Sequence, residues 1–204
     1  MTGMPVVSGE KIICGAILAG GKSLRMGRDK AFIEIDGRPL ITRMAALLAP
    51  ITDEIIISSN ERTLYHPLGF PVIPDVFLEQ GPLAGLHAVM AHTRRALILL
   101  LACDLPRVHA GLLCSLIECS AGYDAVIPRS NGGLAHPLSA VYRRTCFRFI
   151  ESSLSGQKNK MTAFLEDSPL NVRWLRPDEG SFSDQDLVNL NSPKDLDDYL
   201  AGKG

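Results

Sequence analysis

Short apolar runs alternate along the chain with amphipathic stretches. Five apolar runs predict buried strands, at residues 12–18, 54–58, 71–73, 96–102 and 124–127. The amphipathic stretches predict helices, at residues 39–48, 82–94, 110–120, 144–154 and 193–200. Strands that alternate with helices form a parallel sheet through right-handed crossovers. The pattern therefore predicts an α/β protein with a Rossmann-like, three-layer α/β/α arrangement around a mostly parallel central sheet.

Two of the predicted helices carry clear start signals. At Gly81 and Pro82, a proline occupies the first helical position. Ser192 is a typical N-cap residue, and it is followed by a proline in the first turn and by Asp195 at the third helical position. We therefore expect helices to begin at these places.

The composition fits one globular domain and excludes several classes of protein. Of the 204 residues, 46% are hydrophobic and 21% are charged, which allows a substantial core. The formal net charge is -1 and the charges are interspersed, unlike the basic surface of a protein that binds nucleic acid. No apolar run approaches the roughly 20 residues that cross a bilayer. We expect a single domain over residues 12–204, after a flexible extension over residues 1–11.

The cysteines indicate a reducing compartment. There are five of them, an odd number, with no C-x-x-C pair and no paired histidines at metal-ligand spacing. We therefore expect reduced thiols in a soluble, cytoplasmic protein that does not associate with membranes. We also expect the protein to be a monomer.

A glycine-rich segment follows the first predicted strand directly, at residues 18–30. Gly20 and Gly21 allow the backbone to turn its N–H groups toward an anion, while Arg25 and Lys30 can neutralise a triphosphate. This combination is typical of a phosphate-binding loop. The alternative is a surface turn that carries solvated charges.

A P-loop is a second alternative for this segment. Residues 16–23 fit a relaxed Walker A pattern, and residues 97–104 loosely resemble a Walker B strand. However, the first small residue of the pattern would lie inside the strand, and Gly27 falls where the P-loop helix should run. A P-loop kinase or GTPase would act at the γ-phosphate of its nucleotide.

Carboxylates follow two later strands, where an open parallel sheet binds its ligands. Asp75 ends residues 71–75 and precedes the Gly81 turn, so its carboxylate can accept paired hydrogen bonds from guanine N1 and N2. Asp104 follows the wholly apolar residues 97–101, and a carboxylate at the mouth of a buried strand suits Mg²⁺ shared with substrate phosphates. Each aspartate could instead only stabilise its own turn.

Four strings of residues resemble the MobA-type molybdenum cofactor guanylyltransferases, and the similarity runs from about residue 12 to residue 199. The strings are Leu18-Ala19-Gly20-Gly21-x-Ser23-x-Arg25-Met26-Gly27-x-Asp29-Lys30, Asp75 with Gly81-Pro82-Leu83-Ala84-Gly85, Cys103-Asp104-x-Pro106, and Asn189-x-Asn191-Ser192-Pro193. Cytidylyl relatives usually have Ala-Ala-Gly in the first string and aspartates at the two asparagine positions. The resemblance therefore favours GTP.

The resemblance implies a nucleotide-diphospho-sugar transferase-like fold and a defined reaction. GMP would pass from GTP to the phosphate of molybdopterin, with release of pyrophosphate, and other molybdenum cofactor biosynthesis proteins would be partners. Catalysis is implied for Asp104, Lys30 and Arg25, with Mg²⁺ at Asp104. Binding of GTP is implied for Leu18, Ala19, Gly20, Gly21, Lys30, Ser58, Asp75, Gly81 and Asp104. The alternatives are CTP as donor, a sugar phosphate or other acceptor, and a nucleotide-binding protein without catalysis.

The resemblance divides the domain into a nucleotide-binding half, up to about residue 108, and an acceptor-binding half. Candidates for the acceptor half are His136, Lys158, Lys160, Asn189 and Asn191. Residues 134–138, which include His136, match the His-Pro strand start of the family, where the acceptor pocket is expected to form. A lone histidine before a proline, two surface lysines and two turn asparagines can equally be structural.

One departure from the family concerns the end of the second strand. The family often has Asn-x-Asn there, whereas this chain has Ser58-Ser59-Asn60. Ser58 can make one hydrogen bond but lacks the paired geometry of an amide. We therefore expect this strand to contribute less to base discrimination.

Overall fold

The computed structural model describes residues 13–19, 29–166 and 168–202. The expected extension over residues 1–11 and the glycine-rich residues 20–28 lie outside this part of the chain. The described residues form nine strands: β1 (Ile13–Leu18), β2 (Glu34–Ile35), β3 (Arg38–Pro39), β4 (Glu54–Ser58), β5 (Val72–Ile73), β6 (Leu97–Ala102), β7 (Ala125–Pro128), β8 (Ser139–Arg143) and β9 (Val172–Leu175). The five predicted strands are all present.

Helices surround these strands. The described α-helices are α1 (Leu40–Leu48), α2 (Arg62–Tyr65), α3 (Gly81–His92), α4 (Ala110–Glu118), α5 (Phe147–Ser155), α6 (Ala163–Glu166) and α7 (Pro193–Leu200). The helix predicted from residue 144 begins as a 3-10 turn and becomes α-helical at Phe147. Both start signals are confirmed, because α3 has its proline in the first turn and the Ser192 hydroxyl accepts the Asp195 N–H. No helix in the described ranges is long and apolar enough to cross a membrane.

A seven-stranded sheet forms the centre of the fold, with the strand order β5-β4-β1-β6-β8-β7-β9. Neighbouring strands are parallel except where β8 pairs with β6 on one side and β7 on the other. The expected mostly parallel sheet is confirmed. The small strands β2 and β3 form a separate antiparallel pair.

The hydrophobic pattern did not predict β8 and β9, although the family resemblance indicated a strand that starts near His136 and Pro137. Strand β8 lies between two neighbours and is almost wholly buried, yet its sequence mixes serine, alanine, tyrosine and arginine with a single valine. Strand β9 lies at the sheet edge, where an arginine and a tryptophan keep half-exposed side chains. Neither sequence forms the continuous apolar run that identifies a buried parallel strand.

Hydrophobic side chains pack on both faces of the sheet. All six residues of β6 are buried, and alternate residues belong to different clusters: Leu99 to the cluster that contains Leu48 of α1, and Leu100 to the cluster that contains Leu86 of α3. Burying one leucine side chain contributes about 1.5–3 kcal/mol. This three-layer packing holds the carboxyl ends of the central strands in place.

Helix α3 approaches the strand ends closely at Gly85. A Cβ atom there would lie 2.7 Å from the Ser58 Oγ atom and 2.8 Å from the Leu18 Cδ2 atom. Both neighbours belong to the predicted nucleotide-binding set. The absence of a side chain at Gly85 therefore determines how near α3 lies to this edge of the sheet.

We expect Gly85→Ala to destabilise the protein by about 1–3 kcal/mol, because the added methyl group overpacks this contact. Gly132→Ala is the matched control, since the nearest atom to its added Cβ is 3.9 Å away. Urea unfolding of both variants measures the free energies of unfolding. Equal stability of the two variants would show that the contact at Gly85 relaxes freely.

Candidate active site

The carboxyl ends of three neighbouring strands are aligned at one edge of the sheet. Leu18 pairs with Ser58 on one side and with Ala102 on the other. The Ala19 N–H donates to the Ser58 carbonyl at 3.0 Å, and the Cys103 N–H donates to the Leu18 carbonyl at 3.3 Å. The residues that follow β1, β4 and β6 therefore lie side by side, as the parallel arrangement predicts.

Lys30 and Asp104 meet at this edge. The Lys30 Nζ atom lies 3.7 Å from Asp104 Oδ2, and their side chains are 19% and 18% exposed. The same ammonium group donates to Asn191 Oδ1 at 3.1 Å. Residues from three separate parts of the chain, one after β1, one after β6 and one just before α7, thus form one cluster of polar groups.

The glycine-rich segment connects two points on this cluster. Ala19, just before residues 20–28, donates its N–H to the Ser58 carbonyl of β4, and Lys30, just after them, contacts Asp104. Gly20, Gly21 and Arg25 themselves lie outside the described residues. Their predicted roles in phosphate binding therefore stay predictions, while the residues that flank the segment converge as expected.

The Asp104 carboxyl group is largely buried. Its Oδ1 atom is buried and has no hydrogen-bond partner within the described residues. Burial raises the pKa of this carboxyl group, and the neighbouring Lys30 opposes the rise. A buried carboxylate oxygen without a donor is unfavourable unless a cation or a ligand satisfies it.

This oxygen fits a divalent cation such as Mg²⁺. Among the described residues, no group of three or more histidine, cysteine, aspartate or glutamate side chains could hold a metal ion. Mg²⁺ commonly takes one or two carboxylates and completes its coordination with waters and substrate phosphates. Asp104 could therefore hold Mg²⁺ together with a bound triphosphate.

A second carboxylate, Asp75, lies at the far side of β4. The Asn60 amide donates to Asp75 Oδ2 at 3.1 Å and accepts the Asp75 N–H at 2.9 Å. The Ser58 hydroxyl donates to Asp75 Oδ1 at 3.5 Å. Burial raises the pKa of Asp75, and the hydrogen bonds from Asn60 and Ser58 oppose the rise.

Asn60 is a site residue that the sequence pattern did not indicate. The resemblance to the family drew attention to Ser58, where an amide is replaced, and not to the amide two residues later. In the structure Asn60 makes the paired hydrogen bonds and orients Asp75. A polar residue just beyond a strand end, next to a predicted carboxylate, is the signal that could have indicated it.

Gly81 and Pro82 form the start of α3 beyond Asp75. Gly81 has a φ angle of +67°, a left-handed conformation that favours glycine. Nothing lies within 4 Å of the position of a Cβ atom there, so backbone conformation alone explains the glycine.

His136 lies on the other side of β6. The His136 backbone N–H donates to the Pro128 carbonyl at 2.9 Å. Two residues later, the Leu138 carbonyl accepts the Ala102 N–H at 2.8 Å. The His136 Nε2 atom is buried without a hydrogen-bond partner among the described residues. Burial lowers the pKa of His136, and Asp184 opposes this shift. At neutral pH this favours an uncharged imidazole.

The other acceptor candidates are distributed differently. Asn191 contacts Lys30, and Asn189 is half-buried beside Leu190, whose N–H donates to the Asp104 carbonyl at 2.8 Å. Lys158 and Lys160 lie in the exposed connection between α5 and α6, and the described contacts of Asp104 include neither of them. The described contacts therefore join Asn191 to Lys30 and place Asn189 next to the residue that bonds the Asp104 backbone.

Comparison with known proteins identifies the family. Residues 15–172 match the MobA-like NTP transferase domain. The chain belongs to the MobA-like NTP transferase family. It is 38% identical over 188 residues to a probable molybdenum cofactor guanylyltransferase of Pelotomaculum thermopropionicum, and this alignment covers 89% of each chain. A protein with the same description from Carboxydothermus hydrogenoformans is 32% identical over 91% of this chain and 93% of its own.

A solved structure has the same fold. The crystal structure of molybdopterin-guanine dinucleotide biosynthesis protein A from Archaeoglobus fulgidus superposes with a TM-score of 0.77 and 25% identity. The alignment covers 94% of this chain and 100% of that one. The nucleotide-diphospho-sugar transferase-like fold expected of a MobA-like protein is confirmed.

The structure also removes the basis for a P-loop. That alternative requires its first small residue at the end of a strand, but Ala16 lies inside β1, paired with Ile56 and Leu100. Membership of the MobA-like family agrees with this geometry. The position of Ala16 inside β1 therefore does not fit a Walker A motif.

We expect Asp104→Asn to stabilise this MobA-like chain at neutral pH. Burial raises the pKa of Asp104, so the folded protein is less stable once the carboxyl group is ionised; the penalty is absent below the unfolded-state pKa and complete above the folded-state pKa. A gain of about 1 kcal/mol would raise the melting temperature by roughly 2–4 °C.

Thermal unfolding at pH 7 and near pH 3 measures this effect. The gain should be present at pH 7 and disappear near pH 3, where the carboxyl group is largely protonated in both states. Asp178→Asn is the control, because that side chain is 71% exposed. A lower melting temperature of Asp104→Asn at pH 7 would contradict the desolvation of Asp104.

Proposed function

We propose that this chain transfers GMP from GTP to the phosphate of molybdopterin, producing the guanine dinucleotide cofactor and pyrophosphate. Family membership and relatives described as molybdenum cofactor guanylyltransferases support a nucleotidyltransferase with this substrate class. The observation that carries the proposal is the contact between Lys30 and Asp104, with one buried Asp104 oxygen that has no hydrogen-bond partner within the described residues. This arrangement suits a bound triphosphate with its divalent cation.

The reaction needs no nucleophile from the protein. An oxygen of the acceptor phosphate attacks the α-phosphorus of GTP, a new P–O bond forms, and the bond from that phosphorus to the oxygen bridging the β-phosphorus breaks. Pyrophosphate leaves with the bonding electrons. Catalysis then depends on positioning and on stabilisation of the negative charge on the phosphates.

The described residues supply these two contributions. Lys30 can donate from its ammonium group to the triphosphate, and Asn191 accepts a hydrogen bond from the same group at 3.1 Å. Asp104 would hold Mg²⁺, which when bound neutralises charge on the reacting phosphates. Arg25, outside the described residues, is proposed to add a further positive charge.

The remaining assignments follow the two sides of β6. We assign the nucleotide to the half up to about residue 108, with Asp75 at the base and Leu18, Ala19, Gly20, Gly21, Ser58 and Gly81 around the rest of GTP. We assign the acceptor to the other half, at His136, Asn189 and Asn191, with Lys158 and Lys160 as outer positive charges. Cytoplasmic location, a monomeric state and contacts with other cofactor biosynthesis proteins belong to the same proposal.

We expect Lys30→Ala and Asp104→Asn each to lower turnover by about 10² or more, because each removes charge stabilisation at the phosphates. Release of pyrophosphate from GTP with molybdopterin and Mg²⁺ measures this, and circular dichroism checks the fold. Lys194→Ala, on the exposed side of α7, is the control and should keep wild-type turnover. Near-normal rates for both site variants would remove the Lys30–Asp104 pair from the mechanism.

We expect Asp75→Asn to reduce the preference for GTP over ITP and CTP. The carboxylate can accept from both N1–H and N2–H of guanine, whereas an amide replaces one acceptor with a donor. Asp53→Asn is the matched control: Asp53 lies at the opposite end of β4, where it accepts the Ile13 N–H at 2.9 Å. Nucleotide affinities from calorimetry test this, and an unchanged preference in Asp75→Asn would exclude base recognition by Asp75.

The same measurements separate the alternative donors and acceptors. Pyrophosphate release with CTP in place of GTP, or with a sugar phosphate in place of molybdopterin, would identify a different nucleotidyltransferase. Tight GTP binding without product for any acceptor would identify a binding protein without catalysis.

A further inference from the structure

Lys30 is carried by a single 3-10 turn, Lys30–Phe32, and this turn has contacts at both ends with one buried side chain, Tyr65. At the beginning of the turn, Asp29 is the N-cap and its Oδ1 atom accepts the Ala31 N–H at 3.0 Å. Tyr65 donates its hydroxyl hydrogen bond to the other oxygen of Asp29.

At the end of the turn, the Tyr65 ring stacks on Phe32. The two ring centroids are 5.4 Å apart and the rings are inclined by 26°. Asp29 and Phe32 flank Lys30, so the tyrosine contacts the chain on either side of the lysine. The contact comes from α2, a different element that follows β4.

Tyr65 is itself firmly held. Its side chain is fully buried and belongs to the core cluster that contains Ala19, Ala31 and Cys103. Burial, followed by the Asp29 hydrogen bond, raises the pKa of Tyr65 well above its ordinary value, so the hydroxyl stays protonated and remains a donor. A buried, protonated tyrosine that donates to a carboxylate can hold the backbone of that carboxylate's residue in place.

A turn this short requires such support. Three residues form too few hydrogen bonds to keep a 3-10 helix ordered on its own. The lysine side chain is long and flexible, so the place of its ammonium group depends on where its backbone is held. In the structure that group lies between Asn191 and Asp104, at 3.1 Å and 3.7 Å.

We propose that Tyr65 is a positioning residue for Lys30: its hydroxyl holds Asp29 and its ring holds Phe32, which together place the Lys30 ammonium group at Asp104. This inference rests on the proposed function, in which Lys30 stabilises the charge of the triphosphate. Tyr65 does not contact a substrate in this scheme and acts only through the lysine.

A double-mutant cycle tests the inference. Tyr65→Phe removes the hydroxyl and keeps the ring, so the core remains filled. We expect it to lower kcat/KM for GTP by roughly 10 to 10², the cost of a small misplacement of a charged group. In a Lys30→Ala background the same substitution should change kcat/KM by no more than about twofold, because the residue through which it acts is absent.

Tyr142→Phe is the matched control for lost stability. Tyr142 is also fully buried, and its hydroxyl donates to the Pro137 carbonyl at 2.7 Å on the other face of the sheet. Whatever effect this substitution has should be the same with Lys30 and with Ala at position 30. Coupling of Tyr65, but not of Tyr142, to Lys30 is a result that a general loss of stability does not produce.

Asp29→Asn changes the acceptor of the Tyr65 hydrogen bond. It provides a second double-mutant cycle with Lys30→Ala if Tyr65→Phe does not fold. The amide keeps an acceptor for the Ala31 N–H but weakens the contact with the tyrosine, and its effect should likewise disappear in the Lys30→Ala background. Calorimetry of GTP binding with each variant provides a readout that does not depend on turnover.

The outcomes distinguish this inference from the proposed function. If Lys30→Ala itself leaves GTP binding and turnover near normal, the proposed role of Lys30 is wrong and the inference fails with it. If Lys30→Ala is strongly impaired while Tyr65→Phe is normal, or equally harmful with and without Lys30, only the inference fails. A strong effect of Tyr65→Phe that vanishes without Lys30 supports it.

Discussion

The site depends on one unfavourable placement, the burial of the Asp104 carboxylate at the end of the central strand β6. An ionised group in this environment is stabilised only in part by Lys30, as the direction of its pKa shift shows. The apolar packing of β6 against both helical layers provides the free energy that holds it there. Because water is largely excluded, charges at this point interact more strongly than they would on the surface.

The antiparallel strand β8 places a second set of polar residues near Asp104. It lies directly beside β6 and brings His136 to the edge of the sheet that carries Asp104. The strands that end near the proposed GTP site are on the other side of β6. Asp104 therefore lies at the boundary between two groups of strands, which is where two phosphate-bearing substrates would have to meet. A transfer reaction that relies on positioning needs both substrates held next to each other.

Polar side chains near the site are held by other side chains instead of by secondary structure alone. Asn60 fixes Asp75 through two hydrogen bonds, Asn191 contacts the Lys30 ammonium group, and Tyr65 holds the neighbour of that lysine. Preorganisation of this kind lowers the cost of arranging charged groups when a ligand arrives. The replacement of the family's first asparagine by Ser58 is accompanied by a close contact with Gly85, which leaves little room for a larger side chain.

Local patterns in the sequence determined much of this protein. The apolar runs predicted the five strands, the glycine-rich string and the two strand-end aspartates indicated the nucleotide edge, and the family resemblance indicated the fold and the reaction. These features are local. A buried strand needs consecutive apolar residues and a tight turn needs glycine, so residues close together in the sequence are enough to indicate them. Only the tertiary structure decided the insertion of β8, the pairing of Asn60 with Asp75 and the support of Lys30 by Tyr65. Lys30 and Asn191 are 161 residues apart in sequence, and their contact exists because separate elements pack against one sheet. Spacing along the chain contains no information about which distant side chains this packing brings together.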